Sequence, residues 1–358
     1  MRPISGGAKQ RSEVARLSEH LSRFLLLYTI LAIAVGWILG LIFPATATSH
    51  HSLFSTLTTV LVFLMIYPMM VNLNLEALPR VVRSPWPVLL SVAYNYLVTP
   101  ALTYLLVRLA VHSPMLGLGL LLVMLIPGGS MSIGFTGLVG GSIEVGTIAM
   151  ALNFLLVPIM LPLYLHWLVQ GNVSVPYGSL WQALLLVLIL PMAVGLLTRL
   201  GIMHRTGQMG LKKIKPYLSV ATMVTLLPVM AIIFFSQGEM LAARWTLLIP
   251  LFGATVGYLI VMLALQTWLD RRLGMSYEDH MGIAFLSTGK NNGTAIAITT
   301  LAFGPLVAVP AATLPLFQST LLILYVQLAP WVRRYFTRNA AIASASRVTG
   351  TGQNTHGL

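Results

Sequence analysis

The stretch 281–303 is apolar at both ends and polar in the middle, and this pattern restricts the fold more than any other part of the chain. Its ends are apolar enough to lie in lipid, but residues 287–294 include two glycines, two asparagines and a lysine. Peptide groups cannot stay unpaired in hydrocarbon, so such a break is tolerated only where it lines a cavity or is buried in protein. Pro127-Gly128-Gly129 breaks a second apolar stretch, 116–139, in the same way. Two interrupted helices in corresponding halves predict the binding site of a transporter.

The composition is that of a membrane protein with many spans. Hydrophobic residues make up 57% of the 358 residues and charged residues 8%, whereas a soluble domain is about 25% charged. The net charge of +13 does not indicate a nucleic-acid partner, because the basic residues lie between apolar runs and not on one folded face. The chain has no cysteine, which excludes disulfides and thiolate metal ligands.

Ten apolar runs reach the length of about 20 residues that a helix needs to cross a bilayer. If the N-terminus is cytoplasmic, 18 of the 21 lysines and arginines fall in cytoplasmic segments or adjoining helix ends. This bias follows the positive-inside rule. It predicts an integral protein of a bacterial inner membrane with cytoplasmic tails at 1–23 and 337–358, and the polar composition of 1–20 and 337–358 predicts disorder there. The predicted spans are 24–43, 53–78, 86–111, 115–139, 145–169, 179–199, 216–236, 245–269, 277–303 and 309–336.

The two halves of the chain repeat one another at a nearly constant offset of 159 to 161 residues. Each half holds five spans, an odd number, so the second half must enter the membrane from the opposite side. The sequence therefore predicts an all-α polytopic membrane protein in which two inverted repeats, 24–169 and 179–336, make ten transmembrane helices, with breaks in helices 4 and 9. The matched positions are Gly36 with Gly195, Pro68 with Pro228, Trp86 with Trp245, and Pro127-Gly128 with Thr288-Gly289.

The chain lacks the residue constellations of enzymes. None of its eight acidic residues lies near the centre of a span, so no embedded carboxylate pair is available, and the histidines lie in tails, loops or span ends without metal-ligand spacing. No glycine-rich phosphate-binding loop ending in Lys-Ser or Lys-Thr is present, so ATP-driven pumping has no support. We expect a carrier without enzymatic activity and without a metal centre.

Polar residues inside membrane helices are functional candidates by default. An asparagine amide has four hydrogen-bonding valences to satisfy, and two asparagines stand together at the break in 281–303. Lys290 is the strongest candidate, because a lysine at mid-bilayer costs about 2.5 to 3.5 kcal/mol on insertion scales. Free N–H groups at the half-helix N-termini of both breaks would attract an anion. The predicted substrate-binding residues are Ser130, Ser132, Lys290, Asn291, Asn292 and Thr294.

At these residues the chain resembles the bile acid:sodium symporter family and the wider group that includes arsenite permeases. The resemblance runs over essentially all ten spans, and its most specific motif is Pro127-Gly128-Gly129-Ser130-Met131-Ser132, followed by Gly141-Ser142-Ile143-Glu144-Val145. It implies a core of spans 3–5 and 8–10, in which spans 4 and 9 cross at their breaks, and a panel of spans 1, 2, 6 and 7. It also implies uptake of organic anions, usually driven by sodium, through a cavity between core and panel.

The chain departs from the family pattern at the positions of the sodium ligands. The Ser-Asn pair of span 4 is replaced by Ser132-Ile133, and the glutamate of span 9 by Ser287. Lys290 stands where the family has an apolar residue. Span 5 offers Gly146 and Met150 in place of hydroxyl ligands.

These departures predict that Lys290 replaces a coupling cation, so that transport depends weakly on sodium or not at all. An alternative is that the lysine itself loads and releases a proton. We expect no organic cofactor, and sodium is the one ion that is a candidate for binding. The residues predicted to take part in ion coupling are Ser132, Asn153, Ser287 and Lys290.

Three functions follow from this reading. The first is a secondary carrier of a small organic anion, with lipid as the surrounding partner and no nucleic acid. The second is an efflux permease for arsenite or another metalloid oxyanion. The stretch 65–72 resembles the sequence of arsenite permeases, although the cysteine that they carry in span 4 is missing. The third is a sensor or channel-like protein that has kept the fold without coupled transport. The sequence leaves the substrate, the direction of transport and the oligomeric state open.

Overall fold

The computed structural model describes residues 5–83, 85–168 and 175–350. Within these ranges the regular structure is helical and no β-strand forms, which confirms the predicted all-α class for this part of the chain. A π-helical turn, Tyr94–Val98, and a 3-10 helix, Leu75–Arg83, adjoin the α-helices. The α-helices of the described residues are α1 (Ser5–Arg23), α2 (Leu25–Ile42), α3 (Pro44–Ser49), α4 (His51–Asn72), α5 (Pro85–Ala93), α6 (Thr99–Ala110), α7 (Pro114–Leu125), α8 (Ser130–Leu138), α9 (Ile143–Leu168), α10 (Tyr177–Leu184), α11 (Leu190–Ala243), α12 (Leu248–Arg272), α13 (Tyr277–Thr288), α14 (Asn292–Phe303) and α15 (Pro305–Gly350).

Seven helical stretches of the described residues are long and apolar enough to cross a membrane. The longest, Tyr177–Ala243, has 67 residues and is interrupted at Gly207, whose φ of 61° and ψ of −161° suit a residue without a Cβ. The predicted spans 179–199 and 216–236 lie on either side of this interruption. The seven stretches are Leu25–Ile42, Ser52–Arg80, Pro85–Ala110, Ile143–Leu168, Tyr177–Ala243, Trp245–Arg272 and Pro305–Thr337.

Both predicted breaks are present, and they meet. α7 ends at Leu125 and α8 begins at Ser130, while α13 ends at Thr288 and α14 begins at Asn292. Between them, Pro127 and Lys290 form an isolated antiparallel bridge. The broken segments thus run past each other in extended form, and each gives the other hydrogen-bond partners that hydrocarbon could not supply.

Glycine is required where the two breaks cross. The Gly128 amide donates to Leu286 O at 2.9 Å, so the two backbones are in direct contact. A Cβ on Gly128 would lie 2.8 Å from Leu286 O and 2.9 Å from Gly289 O, and neither carbonyl can move without breaking the crossing.

Helices α2 and α4 both pack closely along α11. A Cβ on Gly36 would lie 2.2 Å from Ala231 O, and one on Gly40 would lie 2.4 Å from Phe235 O, so these glycines allow the backbones of α2 and α11 to touch. The indole of Trp37 donates to Gly238 O at 3.0 Å. Small residues that bring helix backbones together are typical of membrane bundles. Helix α4 also contacts α14, next to the second break.

The tails differ from the predicted disorder in the part that the structure describes. Residues 5–23 form α1, which packs along α11 and places Ser22 Oγ 3.6 Å from Met223 Sδ. α15 extends through Gly350, and residues 351–358 lie outside the described ranges. A polar segment cannot form a hydrophobic core by itself. It can still form a helix that packs against a neighbouring helix, as α1 does, or that continues one, as the end of α15 does.

Candidate functional site

The backbone of the second break is held by a side chain of α15. The Lys290 amide donates to Gln318 Oε1 at 2.8 Å, and Gln318 Nε2 donates to Lys290 O at 3.1 Å. Both residues are buried. Gln318 therefore satisfies both peptide groups of a residue that has left the helix, which is the condition for irregular backbone at membrane depth.

The Lys290 side chain points into the bundle. It is 3% exposed, its Nζ donates to Asn95 Oδ1 at 3.0 Å, and Nζ lies 5.6 Å from the centroid of the Tyr258 ring. None of the ion pairs among the described residues includes it. The amino group is thus held by an amide oxygen and an aromatic face, without a carboxylate.

Asn95 connects Lys290 to a buried amide network in the π-helical turn and α9. Asn95 Nδ2 donates to Asn153 Oδ1 at 3.1 Å, and Asn153 Nδ2 donates to Ser91 Oγ at 2.9 Å. The Tyr96 hydroxyl donates to Asn153 O at 2.6 Å. Two of the residues predicted to take part in ion coupling, Lys290 and Asn153, are therefore joined through Asn95.

The other two predicted coupling residues flank the crossing. Ser132 is buried on α8, and its Oγ would lie 2.8 Å from a Cβ on Gly289. Ser287 is fully buried on α13, and its Oγ has no hydrogen-bond partner among the described residues. The described residues contain no cluster of three His, Asp or Glu that could hold a metal ion. One free hydroxyl beside a lysine does not fit a cage for a hard cation, which takes several oxygen ligands.

The N-terminal ends of α8 and α14 meet at a small cleft against α4. Asn291 caps α14, because its Oδ1 accepts from Thr294 N at 3.1 Å, and its Nδ2 contacts Met69 Sδ at 2.9 Å. Ser130 begins α8 and is exposed. The cavity between these ends holds about 10 Å³, enough for roughly one water. Its lining residues are Met69, Met70, Leu73, Gly129, Ser130, Met150, Phe154 and Asn291.

The predicted substrate-binding residues thus separate into two groups. Ser130 and Asn291 line the cleft, and Thr294 stands one turn into α14 with its Oγ1 4.0 Å from Met69 Sδ. Asn292 is half-buried at the start of α14, and its Oδ1 has no partner among the described residues. Lys290 and Ser132 belong to the crossing itself and do not line the cleft.

A larger cavity, of about 300 Å³, lies away from the breaks between α6, α7 and the end of α9. Tyr104, Arg108 and His112 are its titratable lining residues. None of the predicted site residues contributes to it. Its size alone does not make it the site, because the broken backbone and the buried polar groups are elsewhere.

Sequence reasoning missed the partners that complete the site. Asn95 and Gln318 are polar residues in apolar spans, a signal visible in the sequence, but nothing there shows that both contact Lys290. Asp270 falls just after the predicted span 245–269 and His280 at the start of the predicted span 277–303, whereas the structure buries both completely and places His280 Nδ1 2.6 Å from Asp270 Oδ2.

An all-helical, apolar bundle whose two broken helices cross at a buried polar centre defines a membrane transport protein. Residues 58–244 match the model of the sodium bile acid symporter family, which is more than half of the chain. The chain belongs to this family, and it is a membrane transporter of that family.

Similar proteins extend over most of the chain. The uncharacterized sodium-dependent transporter YocS of Bacillus subtilis is 24% identical over 282 residues, covering 77% of this chain and 84% of the relative. The arsenical-resistance protein Acr3 of Corynebacterium glutamicum is 23% identical over 366 residues, covering 97% and 98%. The ileal sodium/bile acid cotransporter of Oryctolagus cuniculus is 23% identical over 279 residues, covering 74% and 75%.

Proposed function

We propose that the protein is a secondary carrier that moves a small organic anion across the bacterial inner membrane by alternating access. One observation carries this proposal: α8 and α14 both begin at the same cleft, where Ser130 and Asn291 face α4. A helix N-terminus carries partial positive charge and free N–H groups, so two of them at one cleft attract an anion such as a carboxylate. Similarity to a bile acid cotransporter supports the same substrate class.

We propose ten membrane spans in two inverted repeats, 24–169 and 179–336. The nearly constant offset between the halves, the interruption at Gly207 inside the longest stretch, and the interrupted pairs α7/α8 and α13/α14 support this count. The bias of lysine and arginine supports cytoplasmic tails. In this arrangement α2, α4 and α11 belong to a panel that moves against the core containing the crossing.

The cleft is closed in the described conformation. With space for roughly one water, it opens only when α4 moves away from the two helix ends. Met69 and Met70 form the α4 side of the cleft, and methionine side chains adapt to ligands of different shape. The carrier therefore opens by separation of the panel from the core, and the two methionine side chains change conformation to fit the substrate.

Lys290 takes the place of a coupling cation in this proposal. Its amino group uses Asn95 Oδ1, an oxygen that a cation at this position would need. Two unit charges about 4 Å apart repel by about 4 kcal/mol at an effective dielectric of 20, so a protonated lysine opposes sodium beside it. Transport is therefore weakly dependent on sodium, or independent of it.

A thermal-shift screen of the purified protein tests the substrate class. Small carboxylates and oxyanions are added with and without sodium, and a carboxylate that raises the melting temperature in both conditions supports the proposal. Asn291→Ala removes a cleft side chain and should abolish the shift. Thr299→Val is the matched control on α14, because its hydroxyl bonds only carbonyls of its own helix. Unchanged binding in folded Asn291→Ala protein would remove the second break from the site.

A second candidate is efflux of arsenite or a related metalloid oxyanion. The match to an arsenical-resistance protein over nearly the whole of both chains favours it. Without cysteine, recognition would rest on hydroxyls, amides and helix N-termini alone. Expression in arsenite-sensitive cells that lack their own exporter separates the two candidates, since only an exporter restores growth on arsenite.

A further inference from the structure

A buried polar cluster lies where α12 ends and α13 begins, apart from the cleft. Asp270 and His280 are both 0% exposed, and Tyr325 is 6% exposed. His280 Nδ1 lies 2.6 Å from Asp270 Oδ2, and His280 Nε2 lies 2.7 Å from the Tyr325 hydroxyl. The Tyr94 hydroxyl donates to the other carboxylate oxygen, Asp270 Oδ1. The proposed transport cycle does not use this cluster, although its members come from α12, α13, α15 and the π-helical turn.

The cluster continues through hydroxyl groups to the backbone. The Tyr325 hydroxyl lies 2.7 Å from Thr267 Oγ1, which in turn lies 2.7 Å from Leu263 O. A hydroxyl carries one proton and two acceptor lone pairs. The hydrogen bonds of this chain of hydroxyls can therefore point in either direction.

In the first direction, Thr267 donates to Leu263 O and Tyr325 donates to Thr267. The Tyr325 oxygen then accepts from His280 Nε2–H, while Asp270 accepts from Nδ1–H, so the ring carries two protons. In the second direction, Thr267 donates to Tyr325 and Tyr325 donates to His280 Nε2, so the ring is neutral and keeps Nδ1–H for Asp270. The ring and both hydroxyls stay hydrogen-bonded in each state, and the states differ by one proton.

No other charged group of the described residues forms an ion pair with Asp270 or His280. The Asp270–His280 contact is the only ion pair of the described residues that includes either of them. The Phe336 ring stacks on the imidazole at 4.7 Å between centroids. Tyr94 of the π-helical turn contacts the pair directly. Among the neighbouring groups, Arg271 of α12 lies over the Tyr335 ring of α15. Arg333 of α15 lies over the Tyr277 ring of α13 and 3.9 Å from Glu278.

We propose that Asp270 and His280 form a binding site for one exchangeable proton, with Tyr325 and Thr267 as a relay whose hydrogen bonds reverse when that proton leaves. On release, Nε2 loses its proton to water, the Tyr325 hydroxyl turns its own proton from Thr267 to Nε2, and Thr267 turns from Leu263 O to Tyr325. No bond between heavy atoms changes.

Histidine suits this role, because its ordinary charge change falls between about pH 5 and pH 8. The site is independent of the proposed anion site. His280 lies in the first turn of α13 and the second break follows its last residue, so proton binding acts on the helix that leads into the break at Lys290.

Nuclear magnetic resonance of the full chain in lipid nanodiscs tests the site without a transport substrate. His280-Met281 is the only His-Met pair in the sequence, so uniformly ¹³C,¹⁵N-labelled histidine combined with ¹⁵N-methionine assigns its backbone and, through the histidine carbons, its ring without a variant. The ring nitrogens of ¹⁵N-histidine are then followed from about pH 5 to about pH 9. The expected result is a one-proton transition between the imidazolium and the neutral Nδ1–H tautomer.

Tyr325→Phe removes the relay hydroxyl, and we expect a changed midpoint pH for His280, because the relay bonds differently to the two ring states. Tyr217→Phe, an exposed tyrosine of α11, should leave that midpoint unchanged. A His280 ring that keeps one protonation state over the whole range would show a purely structural ion pair and overturn the proposal. An unchanged midpoint in Tyr325→Phe would also overturn it.

Discussion

Replacing Lys290 by methionine should leave the protein about as stable as the wild type, or more stable, although it removes a buried hydrogen bond. The amino group donates to Asn95 Oδ1 at 3.0 Å and has no carboxylate partner among the described residues. Methionine keeps the apolar stem, and its sulfur can retain the contact with the Tyr258 ring. The substitution therefore isolates the effect of the amino group.

The expected magnitude follows from two opposing terms. Removing a lysine from mid-membrane relieves about 2.5 to 3.5 kcal/mol. The Asn95 oxygen that loses its donor costs about 1 to 3 kcal/mol. The net change lies between about 2.5 kcal/mol of stabilisation and about 0.5 kcal/mol of destabilisation.

Removing the acceptor should have the opposite effect. Asn95→Leu strands the Lys290 amino group, at about 1 to 3 kcal/mol or more. It also deletes the bonds from Asn95 Nδ2 to Ser91 O at 3.2 Å and to Asn153 Oδ1 at 3.1 Å, at about 0.5 to 1.5 kcal/mol each. The total is about 2 to 6 kcal/mol of destabilisation. The double variant should be more stable than Asn95→Leu alone, because no amino group is then stranded.

Unfolding of the purified proteins in detergent, followed by tryptophan fluorescence, measures these differences. Lys212→Met is the matched control, because this lysine is exposed on α11 and its loss should change stability by less than about 0.5 kcal/mol. If Lys290→Met were the most destabilised variant, the lysine would be a structural anchor with an unidentified partner. The assignment of Lys290 to the place of a cation would then be refuted.

Three further predictions concern the crossing and the topology. Gly128→Ala should abolish transport and lower the melting temperature, because its Cβ would strike Leu286 O, whereas Gly134→Ala on α8, the helix after this break, meets nothing within 4 Å and should behave as wild type in both assays. Gln318→Leu should lower the free energy of unfolding by about 2 to 6 kcal/mol in an unfolding titration, since it leaves the N–H and the C=O of Lys290 unpaired. Gln318→Glu keeps an acceptor for the Lys290 N–H but no donor for its C=O, so it should lose about half as much. Single cysteines at Ser5 and Thr355 should resist an impermeant thiol reagent on intact cells, and labelling of either would contradict the cytoplasmic tails.

The breaks themselves could be predicted from the sequence, whereas their partners could not. Glycine, proline and polar residues inside an apolar stretch are incompatible with a continuous lipid-facing helix, so the positions of both interruptions follow from composition. The same logic shows that Lys290 needs a partner. It does not show which one, because Asn95 and Gln318 lie far away along the chain and contact it only once the bundle has formed.

The Asp270–His280 pair was missed for a related reason. Ionisable residues in loops and near the ends of spans are usually solvated or snorkel to the interface, so neither position indicates a buried pair. The chain reverses direction between them at Gly274, with φ of 73°, and the Met275 amide bonds back to Asp270 O at 3.0 Å. This tight reversal brings α13 against α12 and buries both side chains, an outcome that depends on packing and not on local pattern.

The contact between the two breaks also constrains how the protein is made. The Gly128 amide has its acceptor, Leu286 O, roughly 160 residues further along the chain, which at about 5 to 20 residues per second emerges from the ribosome some 8 to 30 seconds later. During that interval the Gly128 amide needs another hydrogen-bond partner, because an unpaired peptide group is costly in hydrocarbon. A nascent chain that stalls before the second break therefore keeps the Gly128 amide without its native acceptor.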